Sequence, residues 1–453
     1  MKYPILAIPL AGLALSILPL QSTAADTAEN LYRSYCAGCH GGEAPQVPAE
    51  RAAQAIRGGL PDKGMPAFGA RLSDGDIRAL VELLDARSRK QSLNTAASAA
   101  SADMTTGSHR FRLAPVASAP GELWDMDFLP DGTAIATQKD GQLWLFKDRE
   151  RLGPVTGIPA VKYEGQGGLL GVTVHPDYTK NGWIYLTYAG SGAGGAMTTV
   201  VRGKLEGLRW VDQETIYTAP KNFYTGTSHH FGSRLVLRDG YLYFSVGDRG
   251  HRDGAQDTGD PRGKIHRLYE DGRVPEDNPF VAAGGAAASV WSYGHRNPQG
   301  MALQPGSDAI WAAEHGPRGG DEVNLIQRGR NYGWPVVTFG INYDGTIISE
   351  HNHRDGMEPP KHHWTPSIAV SDIDFYTGDR FPAWRNHLLA ASLAAQELHL
   401  LRIDGDKVID DQVLLEDAGR IRDVRNGPDG YPYLLIGSDI FRLEPVERVS
   451  EFY

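Results

Sequence analysis

The chain has 453 residues, of which 41% are hydrophobic and 22% are charged, and both fractions are ordinary for soluble globular domains. This length exceeds what one hydrophobic core usually serves, so two or more domains are expected. The net charge is −10 and no cluster of lysine and arginine is present, which argues against nucleic acid as a partner.

The first 25 residues have the layout of a secretory signal peptide. Lys2 gives a short positive start, residues 5–20 are almost entirely apolar, and residues 22–25 are small, as a cleavage site requires. An uncleaved membrane anchor is the alternative, because the apolar run approaches the length that spans a bilayer. The small residues favour cleavage, and no later segment is long and apolar enough to span. The sequence therefore predicts export to the periplasm, with no membrane span after cleavage.

Residues 26–90 have the pattern of a small helical domain that contains both cysteines of the chain, Cys36 and Cys39. In an exported protein such a pair is also compatible with a disulfide or a redox couple. His40 follows the second cysteine directly, and two thioether attachment points beside an imidazole are the motif for c-type haem. The sequence therefore predicts a covalently attached haem c, with His40 as an axial ligand of the iron, and a role in electron transfer.

Met65, in the loop Gly64-Met65-Pro66, is the predicted second axial ligand of the haem. A thioether opposite a histidine raises the haem potential, which suits an electron acceptor. The alternatives are a core methionine at this position or ligation by Met104, which lies in a later linker-like segment. Ser73 is a predicted N-cap for the helix that follows the loop. The whole unit resembles class I cytochromes c.

Residues 91–108 are small and polar, and this composition predicts a flexible linker. From residue 109 to 453 the pattern is that of β-structure, with strand-like runs such as 143–146, 183–188 and 241–246. A turn precedes an apolar strand six times, at residues 129–132, 175–177, 238–240, 304–306, 381–383 and 427–430.

Six turn–strand units favour a six-bladed β-propeller. A large β-sandwich is the alternative, but it explains the recurrence of one turn pattern less well. The predicted fold class is therefore multidomain, with a small all-α cytochrome c domain followed by an all-β six-bladed propeller.

The propeller region contains two sets of histidines, and each set has its own interpretation. His230 and Asp248 follow strand-like runs and are candidates for a base and its orienting carboxylate, although spacing alone supports this only weakly. A second group, at positions 351, 353, 362 and 363, lies in a loop without a recognised metal-ligand spacing, so a substrate-loop or solvated-surface role is favoured over a transition-metal site. Trp364, beside this group, is a candidate for lining a sugar pocket.

Several segments resemble the soluble quinoprotein sugar dehydrogenases. They are GQGGLLG at 165–171, HFGSRL at 230–235, GDRG at 247–250, SYGHRNPQG at 292–300, EHGP at 314–317, DEVNL at 321–325 and NYGWP at 331–335. The resemblance spans residues 110–445, and the aldose sugar dehydrogenase branch is the most similar. It implies a six-bladed propeller that uses pyrroloquinoline quinone (PQQ) and calcium, in agreement with the number of turn–strand units.

The resemblance implies a role for each matched residue. His230 matches the general base that takes the proton from the sugar C1 hydroxyl while hydride passes to the quinone, and Asp248 matches the carboxylate that orients this base. Arg296 and Asn297 match the pair that contacts the quinone oxygens, where positive charge stabilises developing negative charge. The other matches to PQQ contacts are Gln166, Arg420 and Arg422. Arginines suit PQQ because the cofactor is a tricarboxylate.

Two calcium sites are also implied by the resemblance. The carbonyls of Gly316 and Pro317 match ligands of the calcium that binds PQQ. Glu322 and the carbonyl of Tyr332 match a second, structural calcium site. Hard oxygen donors of this kind are the ligands that calcium prefers.

One position departs from the family pattern. The family usually places a PQQ-contacting lysine after a Ser-Leu pair, but here Ser392-Leu393 is followed by Ala394, Ala395 and Gln396. Either Gln396 substitutes, another cation enters from a loop, or PQQ binds more weakly. The departure affects the expected cofactor affinity more than the expected class of reaction.

The resulting functional prediction is PQQ-dependent oxidation of an aldose at C1 to its lactone, with electrons passing from the reduced cofactor to the attached haem. The linker would make this transfer largely intramolecular. An external cytochrome or oxidase would then oxidise the haem. The alternatives are another sugar-like substrate such as sorbosone, and a non-catalytic propeller that binds carbohydrate or a protein partner.

Overall fold

A computed structural model of the chain describes residues 28, 30–32, 49–59, 67–84, 104–106 and 109–446. The chain divides into two compact units, Met1–Gln91 and Ser92–Tyr453. The predicted signal segment lies outside the described residues. So do the predicted haem attachment residues, Cys36 and Cys39, and the predicted haem ligands, His40 and Met65.

The described part of the first unit is helical, with helix α1 at Ala49–Gly58 and helix α2 at 74–84. Ser73 caps α2 as predicted, because its Oγ accepts from the backbone N–H of Asp76 at 3.1 Å and its own N–H donates to the Asp76 carboxylate at 2.9 Å. The apolar faces of these elements meet in one core that includes Tyr32, Ile56 and Leu80. Within the part of the chain that the structure describes, no helix is both long and apolar enough to cross a bilayer.

The second unit begins with two strands that belong to the last sheet of the fold, β1 (Met104–Thr106) and β2 (His109–Ser118). Four-stranded antiparallel sheets, or blades, then follow in chain order. The first blade contains β3 (Leu123–Phe128), β4 (Ala134–Gln138), β5 (Gln142–Lys147) and β6 (Glu150–Pro154). The second contains β7 (Leu169–Val174), β8 (Ile184–Gly192), β9 (Gly195–Glu206) and β10 (Arg209–Thr218), with the short helix α3 (Tyr178–Asn181) between its first two strands.

The remaining blades repeat this arrangement. The third contains β11 (Leu235–Arg238), β12 (Tyr241–Val246), β13 (Lys264–Tyr269) and β14 (Val290–Tyr293), and the fourth contains β15 (Pro298–Leu303), β16 (Ile310–Glu314), β17 (Asp321–Ile326) and β18 (His362–Trp364). The fifth contains β19 (Val370–Phe375), β20 (Leu388–Ser392), β21 (Leu398–Asp404) and β22 (Lys407–Leu415). The sixth contains β23 (Ile421–Asn426), β24 (Pro432–Ile436) and β25 (Asp439–Pro445), completed by β2 and β1.

The blades form a closed ring, because the innermost strands β3, β7, β11, β15, β19 and β23 each contact the next one around a centre. The ring is closed by β2, which pairs antiparallel with β25 so that Leu113 lies opposite Leu443. The predicted six-bladed propeller is therefore confirmed. Strand β1 falls within residues 91–108, the segment predicted as a linker. This part of the segment pairs with β2 and extends the sixth blade.

All six turns singled out in the sequence occupy the same place in their blades, between the first and the second strand. Their proline, aspartate and glycine residues reverse the chain there and leave both flanking strands free to pair. Apolar clusters fill the space between neighbouring blades, for example Val172, Ile184 and Trp210 in the second blade with Leu145 of the first. The repeat seen in the sequence is thus one hairpin repeated around the ring.

Candidate active site

Most of the candidate residues lie at one end of the propeller, because they fall in one of two equivalent kinds of loop. One kind leads into the innermost strand of a blade, and the other joins the second strand to the third. In an antiparallel sheet both kinds emerge at the same end. The first kind carries Gln166, His230, Arg296, Asn297 and Arg420, and the second carries Asp248, Gly316 and Pro317. Arg422 lies inside β23, two residues after Arg420.

His230 and Asp248 are in direct contact, with 2.6 Å between Nδ1 of the histidine and Oδ1 of the aspartate. The other carboxylate oxygen of Asp248 accepts from the indole N–H of Trp334 at 2.8 Å. Burial and, to a smaller extent, the nearby charge of Arg296 lower the pKa of His230 to about 4, although Asp248 opposes the change. The imidazole is therefore neutral at pH 7. With Nδ1–H donating to Asp248, Nε2 presents a lone pair that can accept a proton.

The backbone around His230 is held in an unusual conformation. Its φ of 57° lies in the left-handed region, which a residue with a side chain adopts at some cost. Its N–H donates to Oε1 of Gln166 at 2.7 Å, and the buried guanidinium of Arg249 donates to the carbonyls of Thr227 and His229. A Cβ at Gly247 would lie 2.3 Å from the carbonyl oxygen of His230, so this close approach requires glycine. These contacts fix the direction of the imidazole.

Arg296 forms the wall beside His230. Its Nη1 donates to the carbonyl oxygens of His315 at 2.9 Å and Gly316 at 2.7 Å, and its guanidinium carbon lies 5.4 Å from the centre of the Trp334 ring. Asn297, the next residue, accepts from the N–H of Gly232 at 3.0 Å and so ties this wall to the loop of His230. The structure therefore places Arg296 and Asn297 next to the His230–Asp248 pair.

On the opposite wall a second set of cations surrounds Trp124. The guanidinium of Arg422 lies 4.0 Å from the Trp124 ring centre and donates to Oε1 of Gln299 at 3.2 Å. The same Gln299 oxygen lies 2.9 Å from Nε2 of His315, which links this wall to that of Arg296. Arg420 is exposed beside it and donates to the carbonyl of Leu393 at 3.3 Å. Arg420 and Arg422 thus belong to one positively charged surface.

This surface fits a ligand that carries several carboxylates. The Nε–H of Arg422 is buried and has no hydrogen-bond partner, which is a cost that an incoming anion would remove. Arg296, Arg420 and Arg422 also concentrate positive charge in a chain whose net charge is −10. PQQ, a tricarboxylate, has the chemistry that such a pocket accommodates.

The loop of Gly316 and Pro317 is a tight, buried turn. A Cβ at Gly316 would lie 2.3 Å from the carbonyl oxygens of Gly319 and Gly320, so the turn is too tight for any other residue. The N–H of Gly316 donates to the buried carboxylate of Asp321 at 2.8 Å, which fixes the peptide, and its carbonyl faces the guanidinium of Arg296. The Gly316 carbonyl is thus held in a fixed position, and carbonyl oxygens are among the ligands that calcium prefers.

Glu322 and Tyr332 line one small cavity together with Glu314 and Gly316. Burial and the neighbouring Glu314 raise the pKa of Glu322 to about 8, so its ionised form lacks a compensating charge. The side-chain N–H₂ of Asn324 donates to Glu314 and to Glu322, at 3.2 Å each. The side-chain oxygen of Asn324 is buried and has no hydrogen-bond partner. These oxygens suit a hard cation such as calcium.

The other histidine-rich segment does not form such a site. His351 and His353 are exposed, His362 contacts Asp411 at 3.2 Å, and His363 stacks on Phe339 with ring centres 3.8 Å apart. Across the described ranges, no group of three or more His, Cys, Asp or Glu side chains is arranged to hold a metal ion. The suggestion that Trp364 lines a sugar pocket stays a prediction; the residue is buried in β18, and its indole N–H donates to Asp411 at 2.9 Å.

Sequence reasoning missed several residues of the site. Trp334, Gln299 and His315 lie in the quoted motifs. Nothing in the spacing indicated that Gln299 and His315 join the two walls or that Trp334 contacts Asp248. Glu122, Trp124 and Lys139 lie in the first blade, where no motif was recognised. A tryptophan next to charged residues at the start of an innermost strand is the signal that would have drawn attention to this segment.

Comparison with known proteins agrees with this geometry. Residues 119–442 match the family described as glucose / sorbosone dehydrogenase, and residues 23–84 match the family described as cytochrome c oxidase, cbb3-type, subunit III. The chain is 44% identical over 321 residues to an aldose sugar dehydrogenase of Escherichia coli K12, an alignment that covers 69% of this chain and 86% of that protein.

Solved structures show the same similarity. The apo form of the soluble aldose sugar dehydrogenase from Escherichia coli superposes with a TM-score of 0.70 at 39% identity, covering 74% of this chain and 100% of that one. The PQQ-bound form of an aldose sugar dehydrogenase from Streptomyces coelicolor superposes with a TM-score of 0.60 at 25% identity, covering 75% and 100%.

Proposed function

Because the chain belongs to the glucose / sorbosone dehydrogenase family and also carries a cytochrome c domain, we propose that it oxidises aldose sugars at C1 to lactones in the periplasm. The observation that carries the proposal is a neutral His230, oriented by Asp248 and close to the guanidinium of Arg296. The relatives named aldose sugar dehydrogenase and the PQQ-bound relative support PQQ as the cofactor.

In the proposed reaction, His230 Nε2 accepts the proton of the C1 hydroxyl. Asp248 stabilises the imidazolium that forms, and Trp334 and the N–H of Gly250 hold the Asp248 carboxylate in place at 2.8 Å each. When bound, PQQ supplies the acceptor for the hydride that leaves C1. Arg296 and Asn297 would contact the quinone oxygens, and Gln166, Arg420 and Arg422 would hold the carboxylates of the cofactor.

Calcium would be held by the carbonyls of Gly316 and Pro317, with a second ion at Glu322 and Tyr332. We propose that Cys36 and Cys39 would attach a haem and that His40 and Met65 would bind its iron. A haem accepts one electron at a time, so the two electrons taken from the sugar would leave through it in two successive steps. An external cytochrome or oxidase would reoxidise the haem. A cytochrome and a sugar dehydrogenase in one chain support this order of transfer, because tethering keeps the donor and the acceptor at high effective concentration.

The proposal is tested by adding PQQ and calcium to the purified full-length chain, supplying single aldoses, and recording the haem absorption spectrum. We expect haem reduction that requires PQQ, calcium and sugar together, and the lactone as the product. Sorbosone belongs in the substrate panel because the family description names it. If no sugar or sorbosone reduces the haem or an added dye, the catalytic proposal fails and a purely binding propeller is favoured.

The pH dependence of the reaction follows from the pKa of His230. A base with a pKa of about 4 is about nine-tenths deprotonated at pH 5 and more so above it, so kcat/KM should change little through this group between pH 5 and 8. As the pH falls through 4, protonation of His230 should lower kcat/KM tenfold per pH unit. Assays after return to pH 7 distinguish protonation from denaturation. An inflection near 6.5, the ordinary value for histidine, would contradict this assignment.

A further inference from the structure

Lys139 lies at the place in the first blade that corresponds to the missing family lysine in the fifth. It follows β4 in the turn from the second to the third strand, and Ser392-Leu393 opens the same turn after β20. Both turns emerge at the end of the propeller that carries the candidate site. They flank the sixth blade, which supplies Arg420 and Arg422. Lys139 therefore approaches Arg420 and Arg422 from the first blade, whereas the missing lysine would approach them from the fifth.

The contacts of Lys139 connect it with both walls of the site. Its carbonyl accepts from the N–H of Leu169 at 3.0 Å, three residues after Gln166, and a Cβ at Gly168 would lie 1.9 Å from that same carbonyl oxygen. Its Nζ lies 5.5 Å from the ring centre of Trp124, the ring on which Arg422 also packs. The Lys139 side chain is only 10% exposed, so its ammonium is held in this position.

Glu122 is the anion that now offsets these cations. Its Oε2 lies 3.4 Å from Lys139 Nζ and its Oε1 lies 3.6 Å from Arg422 Nη2. Both distances exceed the 2.7–2.9 Å that is usual for a charge-assisted hydrogen bond, so neither contact is tight. The Glu122 side chain is 44% exposed and has room to move outward. The loosely held carboxylate of Glu122 thus lies between Lys139 and Arg422, and an anion that binds these two cations more tightly can displace it.

We propose that Lys139 binds a carboxylate of PQQ together with Arg422, in place of the lysine absent after Ser392-Leu393, and that Glu122 holds these two cations until the cofactor displaces it. This inference rests on the proposed function, because it concerns the same cofactor. Trp124 packs against both cations, so cofactor binding there is expected to change the tryptophan fluorescence of the chain.

The test is the affinity for PQQ, measured with calcium present by tryptophan fluorescence and by calorimetry on the full-length chain. We expect Lys139→Gln to raise the Kd for PQQ about 10- to 100-fold, the range for loss of a hydrogen bond to a charged group. Lys139→Arg should stay within about threefold of the wild type. The matched control is Lys147→Gln, in the same blade, since Lys147 pairs with exposed Asp131 at 2.7 Å on the surface.

Glu122→Gln separates cofactor binding from a merely structural role. If Glu122 competes with the cofactor, this variant should bind PQQ at least as tightly as the wild type. If the Lys139–Glu122 pair only supports the fold, both variants should bind PQQ equally weakly, which would overturn the inference. An unchanged Kd for Lys139→Gln would also overturn it while leaving the proposed function intact. Absence of PQQ binding by the wild-type chain would remove both.

Discussion

Replacing His230 with glutamine should lower kcat for aldose oxidation by about 10²- to 10⁴-fold, the range attributed to a positioned general base. Glutamine keeps a side chain that can contact Asp248 but offers no nitrogen that accepts a proton at neutral pH. The loss should appear in kcat and kcat/KM alike, because the proton moves only in the transition state. The measurement is steady-state reduction of a dye and of the haem with saturating PQQ and calcium.

The binding of PQQ gives the control for this prediction. His230 is proposed to act on the sugar, so the Kd for PQQ should change much less than kcat. His353→Gln is a matched variant, because His353 is exposed and lies outside both walls of the site. Retention of full activity by the His230 variant would remove His230 from the role of base. Loss of PQQ binding in proportion to activity would assign it to cofactor binding instead.

The fold was predictable from the sequence because the same local signal occurs once in each blade. A turn such as 129–132 or 427–430 reverses the chain between two apolar strands, and six such units define six blades. Ring closure was not predictable, since the pairing of β2 with β25 joins residues more than 300 positions apart. The strand β1 was missed for a similar reason: Met104–Thr106 has an unremarkable composition and becomes a strand only because β2 offers an edge.

The site was predictable where residues fall in long motifs and not where contacts join separate blades. Spacing suggested the pair of His230 and Asp248 only weakly, and the resemblance gave them roles without distances. Trp364 was singled out only by its proximity in sequence to several histidines, and its contact with Asp411 of the fifth blade was not predictable from that proximity. Lys139 escaped notice because its role depends on Glu122 and Arg422, which converge on it only in the closed ring.

Arg234 illustrates how strongly the ring depends on such long-range contacts, and we expect Arg234→Met to destabilise the propeller by about 3–5 kcal/mol. This buried guanidinium precedes β11 and contacts Asp125 of the first blade, Asp423 of the sixth at 3.0 Å and Asp372 of the fifth at 3.2 Å. Asp125 and Asp423 in turn accept from backbone N–H groups of the next innermost strand, at 2.8 and 3.0 Å. Removing the guanidinium leaves carboxylates buried without their main counter-charge.

The pH dependence of this loss follows from the carboxylates. Burial raises the pKa of Asp125 to about 6 even though Arg234 opposes the change, so removal of Arg234 should raise that pKa further. A buried acid with a raised pKa takes up protons on folding, and stability therefore falls as the pH rises through that value. The deficit of Arg234→Met should thus be larger at pH 8 than at pH 5, as measured by urea unfolding followed through the β-sheet circular dichroism signal.

Arg273→Met is the control for the Arg234 prediction, because Arg273 lies in the same blade and pairs with Asp271 at 2.7 Å on the surface. Exposed pairs contribute little, so this variant should lose less than about 1 kcal/mol.

Adding Asp372→Asn to Arg234→Met should recover part of the lost stability, since one unmatched carboxylate is removed. Equal unfolding midpoints for Arg234→Met and wild type at pH 8 would show that the guanidinium is not what holds the four innermost strands together. A deficit that is the same at both pH values would show instead that lost packing, rather than unpaired charge, is the cause.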